Sequence, residues 1–343
     1  MSAGAPVGVA IVGCGAVTQL LRQPVYPRLA GRARVVAVCD PDRDRARQAA
    51  AHFGARGVYA DLAEVLADAA VAAVDVCTPH ALHAEHAIRA LAAGRHVLVE
   101  KPLAASLADG ARIVDAARRT GRVLAVNEQM HFGLALRRAR ELIDRGAIGR
   151  VVDVRVRRLF VLPAPYAASG WRHDPRRPDA GVLIDQGPHY VYLLRRLAGE
   201  IAHVTATAAS AAAPSATLRV RFASGAAGEL KLAWDVPTPP DQPEARVFGT
   251  EGRLEIGRPG AALVWHRDAN APRSAAGTPG RVLRRDDYLE AVQASLADFF
   301  AAAGGGAASV AVPGDEGLRD LAVLDAALRS IASGAAEPVV VPA

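Results

Sequence analysis

Val7-Gly8-Val9-Ala10-Ile11-Val12-Gly13-Cys14-Gly15-Ala16-Val17-Thr18 is a short apolar, β-branched run that breaks at a glycine turn and opens a helical stretch. Such a run, bounded by turn residues, reads as a buried strand. Gly13 suits the tight turn. Gly15 lets a pyrophosphate approach the N–H groups of the first helical residues, Ala16 and Val17, where the helix end favours negative charge. The third glycine position is Thr18, so the dinucleotide fingerprint is incomplete, and the stretch alone also serves as a plain strand-to-helix turn.

The neighbours of this stretch favour the nucleotide reading. A second strand at 34–39 ends on Asp40, a carboxylate placed to accept hydrogen bonds from the adenosine ribose hydroxyls, which favours NAD. Asp40 also suits a helix N-cap, and both roles can hold at once. Arg43 or Arg45 could instead meet the 2′-phosphate of NADP. Strand and helix then alternate: strands at 58–59, 73–77, 97–100 and 123–126, and helices at 61–68, 81–93 and 107–120. The last helix is opened by the capping box Ser106-Leu107-Ala108-Asp109. This alternation predicts an α/β fold, a doubly wound parallel Rossmann sheet, over residues 1–125.

The fifth strand runs Val97-Leu98-Val99-Glu100-Lys101-Pro102. Pro102 has no N–H and keeps Lys101 out of helical geometry, so the amine is expected at the carboxyl end of a strand, where open α/β sheets bind ligands. The chain has 41 Lys+Arg residues, yet only Lys101 and Lys231 are lysines. A lysine can shed its proton or act as a compact point charge, which arginine cannot. Lys101 is therefore a candidate catalytic group.

With 343 residues the chain can hold two domains, and 51% hydrophobic and 22% charged residues describe an ordinary globular protein. The formal charge of +6 comes from arginines scattered over both halves, with no basic tail and no aromatic-interleaved stripe, so no nucleic-acid partner is expected. Cys14, Cys39 and Cys77 stand singly near strand ends, as reduced core residues of a cytoplasmic protein would. No run is long enough for a bilayer span, and the first residues lack the pattern of a leader, so no membrane partner is expected. His80, His83 and His86 are evenly spaced, but positions three apart on a helix do not converge without further ligands, and no metal site is assigned.

Beyond residue 125 the pattern changes. A polar turn at 127–132, containing His131, precedes an arginine-rich amphipathic helix at 134–145. A strand at 151–159 leads into a proline-stiffened loop with Tyr166, and then Trp171-Arg172-His173. An aromatic plane beside a guanidinium suits a polyhydroxylated ring, although core filling with a solvated arginine explains it equally. Arg155, Arg157 and Arg158 could meet a phosphorylated sugar or simply face solvent. Gly181-Val182-Leu183-Ile184-Asp185-Gln186-Gly187-Pro188-His189-Tyr190 then starts a helix with one buried face. Pro188 is expected near the helix start. Asp185 and His189, four apart, face the same way, and a histidine beside a carboxylate suits general acid/base work. Strand-like runs at 217–223, 229–235, 245–249, 253–256 and 262–266 predict one antiparallel sheet. A Gly/Pro/Arg loop at 268–285 and helices at 288–302 and 314–333 close the chain.

The chain resembles the glucose-fructose oxidoreductase and inositol dehydrogenase family (Gfo/Idh/MocA). The resemblance lies in Gly13-x-Gly15, Asp40, Thr78-Pro79 with His83 four on, Glu100-Lys101-Pro102, and the Asp185-x-x-x-His189 segment. It implies a Rossmann domain followed by a C-terminal α+β domain, 126–343, with a large open, mainly antiparallel sheet that serves oligomerisation, as a homodimer or homotetramer. It implies an NAD(P)-dependent enzyme passing a hydride between the nicotinamide and a secondary alcohol or ketone of a sugar, cyclitol or derivative. Lys101, Asp185 and His189 are then the catalytic residues, and the amine of the first half meets the imidazole and carboxylate of the second over one nicotinamide ring. The turn at Thr78 and Pro79, His83 and Glu100 join Gly13, Gly15, Ala16, Val17, Asp40 and Lys101 as cofactor residues. His131, Tyr166, Trp171 and Arg172 are candidates for the substrate. The family often carries asparagine where His80 stands, and similar proteins carry arginine where His131 stands. Redox-assisted glycoside cleavage or epimerisation would use the same groups, and the fold also serves non-catalytic NAD-binding regulators.

Overall fold

The computed structural model describes residues 5–177, 179–237, 243–257, 263–266 and 288–342. Two units divide the chain: Met1–Gln129 with Leu289–Leu321, and Met130–Tyr288 with Ala322–Ala343.

The first unit holds β1 (Val7–Val12), β2 (Ala33–Cys39), β3 (Gly57–Tyr59), β4 (Ala73–Val76), β5 (His96–Glu100) and β6 (Leu124–Asn127). They form a six-stranded sheet in the order β3-β2-β1-β4-β5-β6, every pair parallel. Parallel neighbours need crossovers, which α1 (Arg43–Phe53), α2 (Leu62–Ala67), α3 (His83–Ala92) and α4 (Leu107–Thr120) supply. Side chains cap the starts of α1, α2 and α4, but not that of α3. Asp42 accepts from the N–H groups of Asp44 and Arg45 at α1, and Ser106 accepts from Asp109 at α4. Burial on both faces explains the near-continuous apolar strands: Val9, Ile11, Val38 and Leu98 pack with Leu296, Phe299 and Phe300 of the helix Tyr288–Ala303. The chain winds outward from β1 to β3, then returns to β4 on the other side. The carboxyl ends of β1 and β4 are thus the switch point, where such sheets open a crevice.

The second unit is built on an eight-stranded sheet in the order β13-β12-β11-β7-β10-β9-β8-β14. Its strands are β7 (Val151–Leu159), β8 (Ile201–Thr207), β9 (Ser215–Phe222), β10 (Ala227–Ala233), β11 (Ala245–Gly249), β12 (Arg253–Ile256), β13 (Leu263–His266) and β14 (Glu337–Pro338). The sheet is mainly antiparallel, as expected, with one parallel pair: β7 lies between β10 and β11 and is parallel to β10. A parallel pair needs a long connection, and the stretch between them provides it with α6 (Ala164–Ala167) and α7 (Val182–Ala198), following α5 (Leu134–Asp144). Alternation fixes which face is covered. Leu218, Val220, Phe222, Leu230 and Leu232 are buried, whereas Arg219 and Arg221 are exposed and Glu229 and Lys231 half-exposed. Helix α7 lies against β7, β9 and β10. The expected loop at 268–285 and residue 262 lie outside the described residues. Among the described residues no helix is long and apolar enough to cross a membrane.

Candidate active site

At the carboxyl end of β1, Gly13 has φ +94°, and a Cβ there would stand 2.7 Å from the main chain of Cys77. No side chain fits. Gly15 differs: a Cβ built on it would meet nothing within 4 Å. That open cradle beside the first helical N–H groups fits a dinucleotide phosphate. Thr18 replaces the third glycine and closes the turn another way, its buried hydroxyl donating to the Gly13 carbonyl at 2.6 Å. The helix that follows is wound as a π-type turn over Thr18–Arg22. Asp40 Oδ2 accepts from Cys14 N–H at 2.8 Å and Oδ1 from Asp42 N–H at 2.9 Å. Each carboxylate oxygen keeps a lone pair for a ribose hydroxyl. The N-cap of α1 is Asp42 rather than Asp40. Arg45 Nη1 stands 3.6 Å from Asp40 and its Nη2 3.3 Å from Asp42. Burial and the Asp40 charge push the Cys14 thiol up to about 12, so it is an inert core group.

Glu100 ends β5 and Lys101 follows it, the Lys101-Pro102 peptide is cis, and Lys101 is half-buried. Glu100 faces inward. Arg22 Nη2 lies 2.8 Å from Glu100 Oε1, and Asn127 Nδ2 donates to the same oxygen at 2.6 Å. Arg22 is fully buried and also donates to both oxygens of Asp75, at 2.7 and 2.9 Å, while the Tyr26 hydroxyl donates to Asp75 at 2.9 Å. Burial, followed by the Asp75 charge, holds the Tyr26 hydroxyl well above its ordinary range. This buried ion network was not read from the sequence. Its only signal there was an aspartate in the middle of an apolar strand, Val74-Asp75-Val76. His83 is also buried, with its nitrogens 2.9 and 2.8 Å from the carbonyl oxygens of Thr78 and Pro102.

In the second unit α7 begins at Val182, six residues ahead of Pro188, which therefore lies inside the helix. This differs from a proline at the helix start. Non-local bonds set the beginning instead: Gly181 N–H donates to the Arg172 carbonyl at 3.0 Å and Val182 N–H to that of Ala213 at 3.1 Å. Gly181 has φ +93°, and a Cβ there would stand 2.6 Å from Ala211 O and the Ala212 main chain. Asp185 and His189 follow in the first two turns, both buried. Gln186 donates to Asp185 Oδ2 at 2.7 Å, and Arg172 Nε stands 3.4 Å from Oδ1. The Arg172 guanidinium is 4.3 Å from the Trp171 ring and 5.2 Å from the Tyr166 ring, and it also donates to the Ser169 hydroxyl. Tyr166, Trp171, Arg172 and Asp185 are thus one cluster, with Arg172 buried and both rings half-buried. His131 Nδ1 lies 2.5 Å from the hydroxyl of Tyr192, a buried residue one turn beyond His189. Among the described residues no group of three or more His, Cys, Asp or Glu is placed to hold a metal.

Two family models match the chain: an oxidoreductase family with an NAD-binding Rossmann fold over residues 7–128, and the GFO/IDH/MocA C-terminal domain over 136–255. The chain belongs to the Gfo/Idh/MocA oxidoreductase family. Within it, the chain is 31% identical over 299 residues to the 1-carboxy-3-chloro-3,4-dihydroxycyclo hexa-1,5-diene dehydrogenase of Comamonas testosteroni, covering 79% of this chain and 72% of that protein. It is 28% identical over 337 residues to inositol 2-dehydrogenase 2 of Saccharopolyspora erythraea, covering 97% and 95%. Among solved structures, the WlbA dehydrogenase of Bordetella pertussis in complex with NADH and UDP-GlcNAcA superimposes with a TM-score of 0.81 at 26% identity, over 98% of this chain and 100% of that one. The glycine cradle and Asp40 fit the NAD of this family.

Proposed function

We propose that this Gfo/Idh/MocA enzyme oxidises a secondary alcohol of a ring polyol, a sugar or cyclitol, or reduces the matching ketone, with Lys101, Asp185 and His189 as its catalytic groups. One observation carries the reading. Asp185 and His189 stand one turn apart at the buried start of α7, with the carboxylate already oriented by Gln186 and Arg172. Relatives named for a dihydroxylated ring and for inositol support the substrate class.

Gly13, Gly15, Ala16, Val17, Asp40, Thr78 and Pro79 are the residues that would hold the nucleotide. The nicotinamide, when bound, supplies the two-electron acceptor or donor. In the oxidising direction His189 Nε2 or Nδ1 takes the hydroxyl proton, Asp185 orients the imidazole and stabilises it when charged, and the Lys101 amine hydrogen-bonds the reacting oxygen. Asp40 favours NAD, because Arg45 is already engaged by Asp40 and Asp42 rather than held for a phosphate. Three buried, unbridged cysteines support a reducing, cytoplasmic setting. The sheet face that carries Arg219 and Arg221, both exposed among the described residues, supports a homodimer or homotetramer.

The test is a cofactor-reduction screen over sugars, inositols, aminocyclitols and sugar acids with NAD and NADP in parallel. Turnover of at least one ring polyol is expected, with NAD preferred. Lys101→Ala should lower kcat by about 10²–10⁴-fold while NADH still binds, and Lys101→Arg should not restore it. Retained kcat in Lys101→Ala removes the assignment. Product formed without net NADH would replace it with redox-assisted cleavage or epimerisation.

A further inference from the structure

His83 opens α3 and has 0% exposure. Its Nε2 is 2.9 Å from the Thr78 carbonyl oxygen and its Nδ1 2.8 Å from the Pro102 carbonyl oxygen. The ring therefore bridges the turn after β4 to the turn after β5, at the carboxyl edge of the parallel sheet. Both ring nitrogens are spent on main-chain oxygens. A direct contact with the nucleotide, as the resemblance implies, would need one of them.

We propose that His83 is a positioning residue: by holding the Thr78 and Pro102 carbonyls at a set separation it fixes the backbone that presents Lys101. This rests on the assignment of Lys101 as a catalytic group.

Carbonyl oxygens only accept. A neutral imidazole carries one N–H and satisfies one of them, whereas an imidazolium satisfies both. Burial pushes His83 toward the neutral form. The two carbonyls and the Glu100 carboxylate pull the other way, the Lys101 ammonium opposes them, and the balance lies below the usual imidazole range. The other titratable neighbours are His80, whose ring centroid is 5.6 Å away, and His86, whose Nδ1 lies 3.2 Å from the Thr78 hydroxyl. A neutral ring donates to one of the two carbonyls and sets its distance from the other by contact, so their separation rests on one bond and on the volume of the ring. The approach of Gly13 to the main chain of Cys77 and Thr78 braces the Thr78 side. Glutamine retains one donor and one acceptor, and phenylalanine retains the volume alone.

The scarcity of lysine makes the test direct. Lys231→Arg preserves the pairing with Glu229, 3.3 Å away, and leaves Lys101 as the one side-chain amine of the chain. Reductive ¹³C-methylation of this protein then reports the Lys101 resonance and its titration by NMR. Adding His83→Phe should move that resonance and change its midpoint by at least about half a pH unit. It should lower kcat at least about tenfold and leave the NADH Kd within about threefold. His83→Gln should shift the resonance less and in the same direction, and it decides the matter where the phenylalanine variant does not fold. A lowered Tm with an unmoved Lys101 titration in a folded His83 variant overturns the proposal and leaves His83 purely structural. If the parent protein turns over no alcohol, the proposed function fails. The Lys101 resonance still decides whether His83 positions the amine.

Discussion

Each unit holds a buried arginine beside the carboxyl group that matters most there, and the two are held very differently. Arg22 has 0% exposure, is bidentate on Asp75 at 2.7 and 2.9 Å, and reaches Glu100 at 2.8 Å. Arg172 has 6% exposure, lies against the rings of Trp171 and Tyr166, and meets Asp185 through one contact of 3.4 Å. Two anions fix Arg22 in a dry core. Arg172 is a cation stacked under half-exposed rings, with one anion to orient. The difference teaches that a buried guanidinium near a candidate site can be spent on holding an acid rather than on meeting substrate. The degree of enclosure then decides whether its loss is read in stability or in turnover.

Replacing Arg22 with methionine is the strongest way to break the comparison. It strands Asp75 and Glu100 without their counter-charge, and removing one partner from a buried ion cluster costs roughly 3–5 kcal/mol. Chemical denaturation should show that loss, and a change below about 1 kcal/mol would mean the network is not the frame of the first unit. Arg172→Met should behave otherwise. Stability should fall by about 1–2 kcal/mol, less than for Arg22 because Gln186 still donates to Asp185, while kcat falls about 10–100-fold. A rise in KM at constant kcat would instead restore Arg172 to the substrate-binding role that the sequence suggested for it.

The fold was legible because it is written in local patterns. The glycine turn after β1, the Ser106 cap and the alternation of apolar strands with helices are signals within a few residues of one another. The same holds for Asp185 and His189, four apart on one helix. What stayed hidden was non-local. Nothing near Arg22 in sequence says that Asp75, 53 residues on, will neutralise it. The start of α7 is likewise set by Arg172 and Ala213, so Pro188 ended up inside a helix it was expected to open. The insertion of β7 between β10 and β11 depends on strand pairing that periodicity cannot specify. His83 was recognised as part of a motif, but its spacing could not say that both nitrogens would meet carbonyl oxygens.

The first unit also holds two histidines whose surroundings favour the uncharged ring, His83 buried and His86 half-buried, which sharpens the contrast with Arg22. Burial lowers His83 and His86 below the usual imidazole range. In the unfolded chain both titrate near 6.5, so below that pH the unfolded state binds more protons and stability falls as pH drops toward the folded values. The Tm should hold above about pH 7 and decline as pH falls below about 6.5. His83→Phe should flatten that decline. An unchanged slope in the variant would assign it to carboxylates instead.

The smallest expected effect measures a neutral bond in the same turn that ends on Arg22. Thr18 donates to the Gly13 carbonyl at 2.6 Å from a fully buried position. Valine matches its shape and removes the hydroxyl, leaving a buried carbonyl acceptor short of one partner. The expected cost is about 1 kcal/mol, and the NADH Kd should rise only a few-fold, because the cradle at Gly15 is untouched. Thr18 and Arg22 are four residues apart and equally enclosed, so the ratio of their two losses isolates charge from burial. If Thr18→Val costs as much as Arg22→Met, burial of the turn dominates, and the ion network adds little to what holds Glu100 beside Lys101.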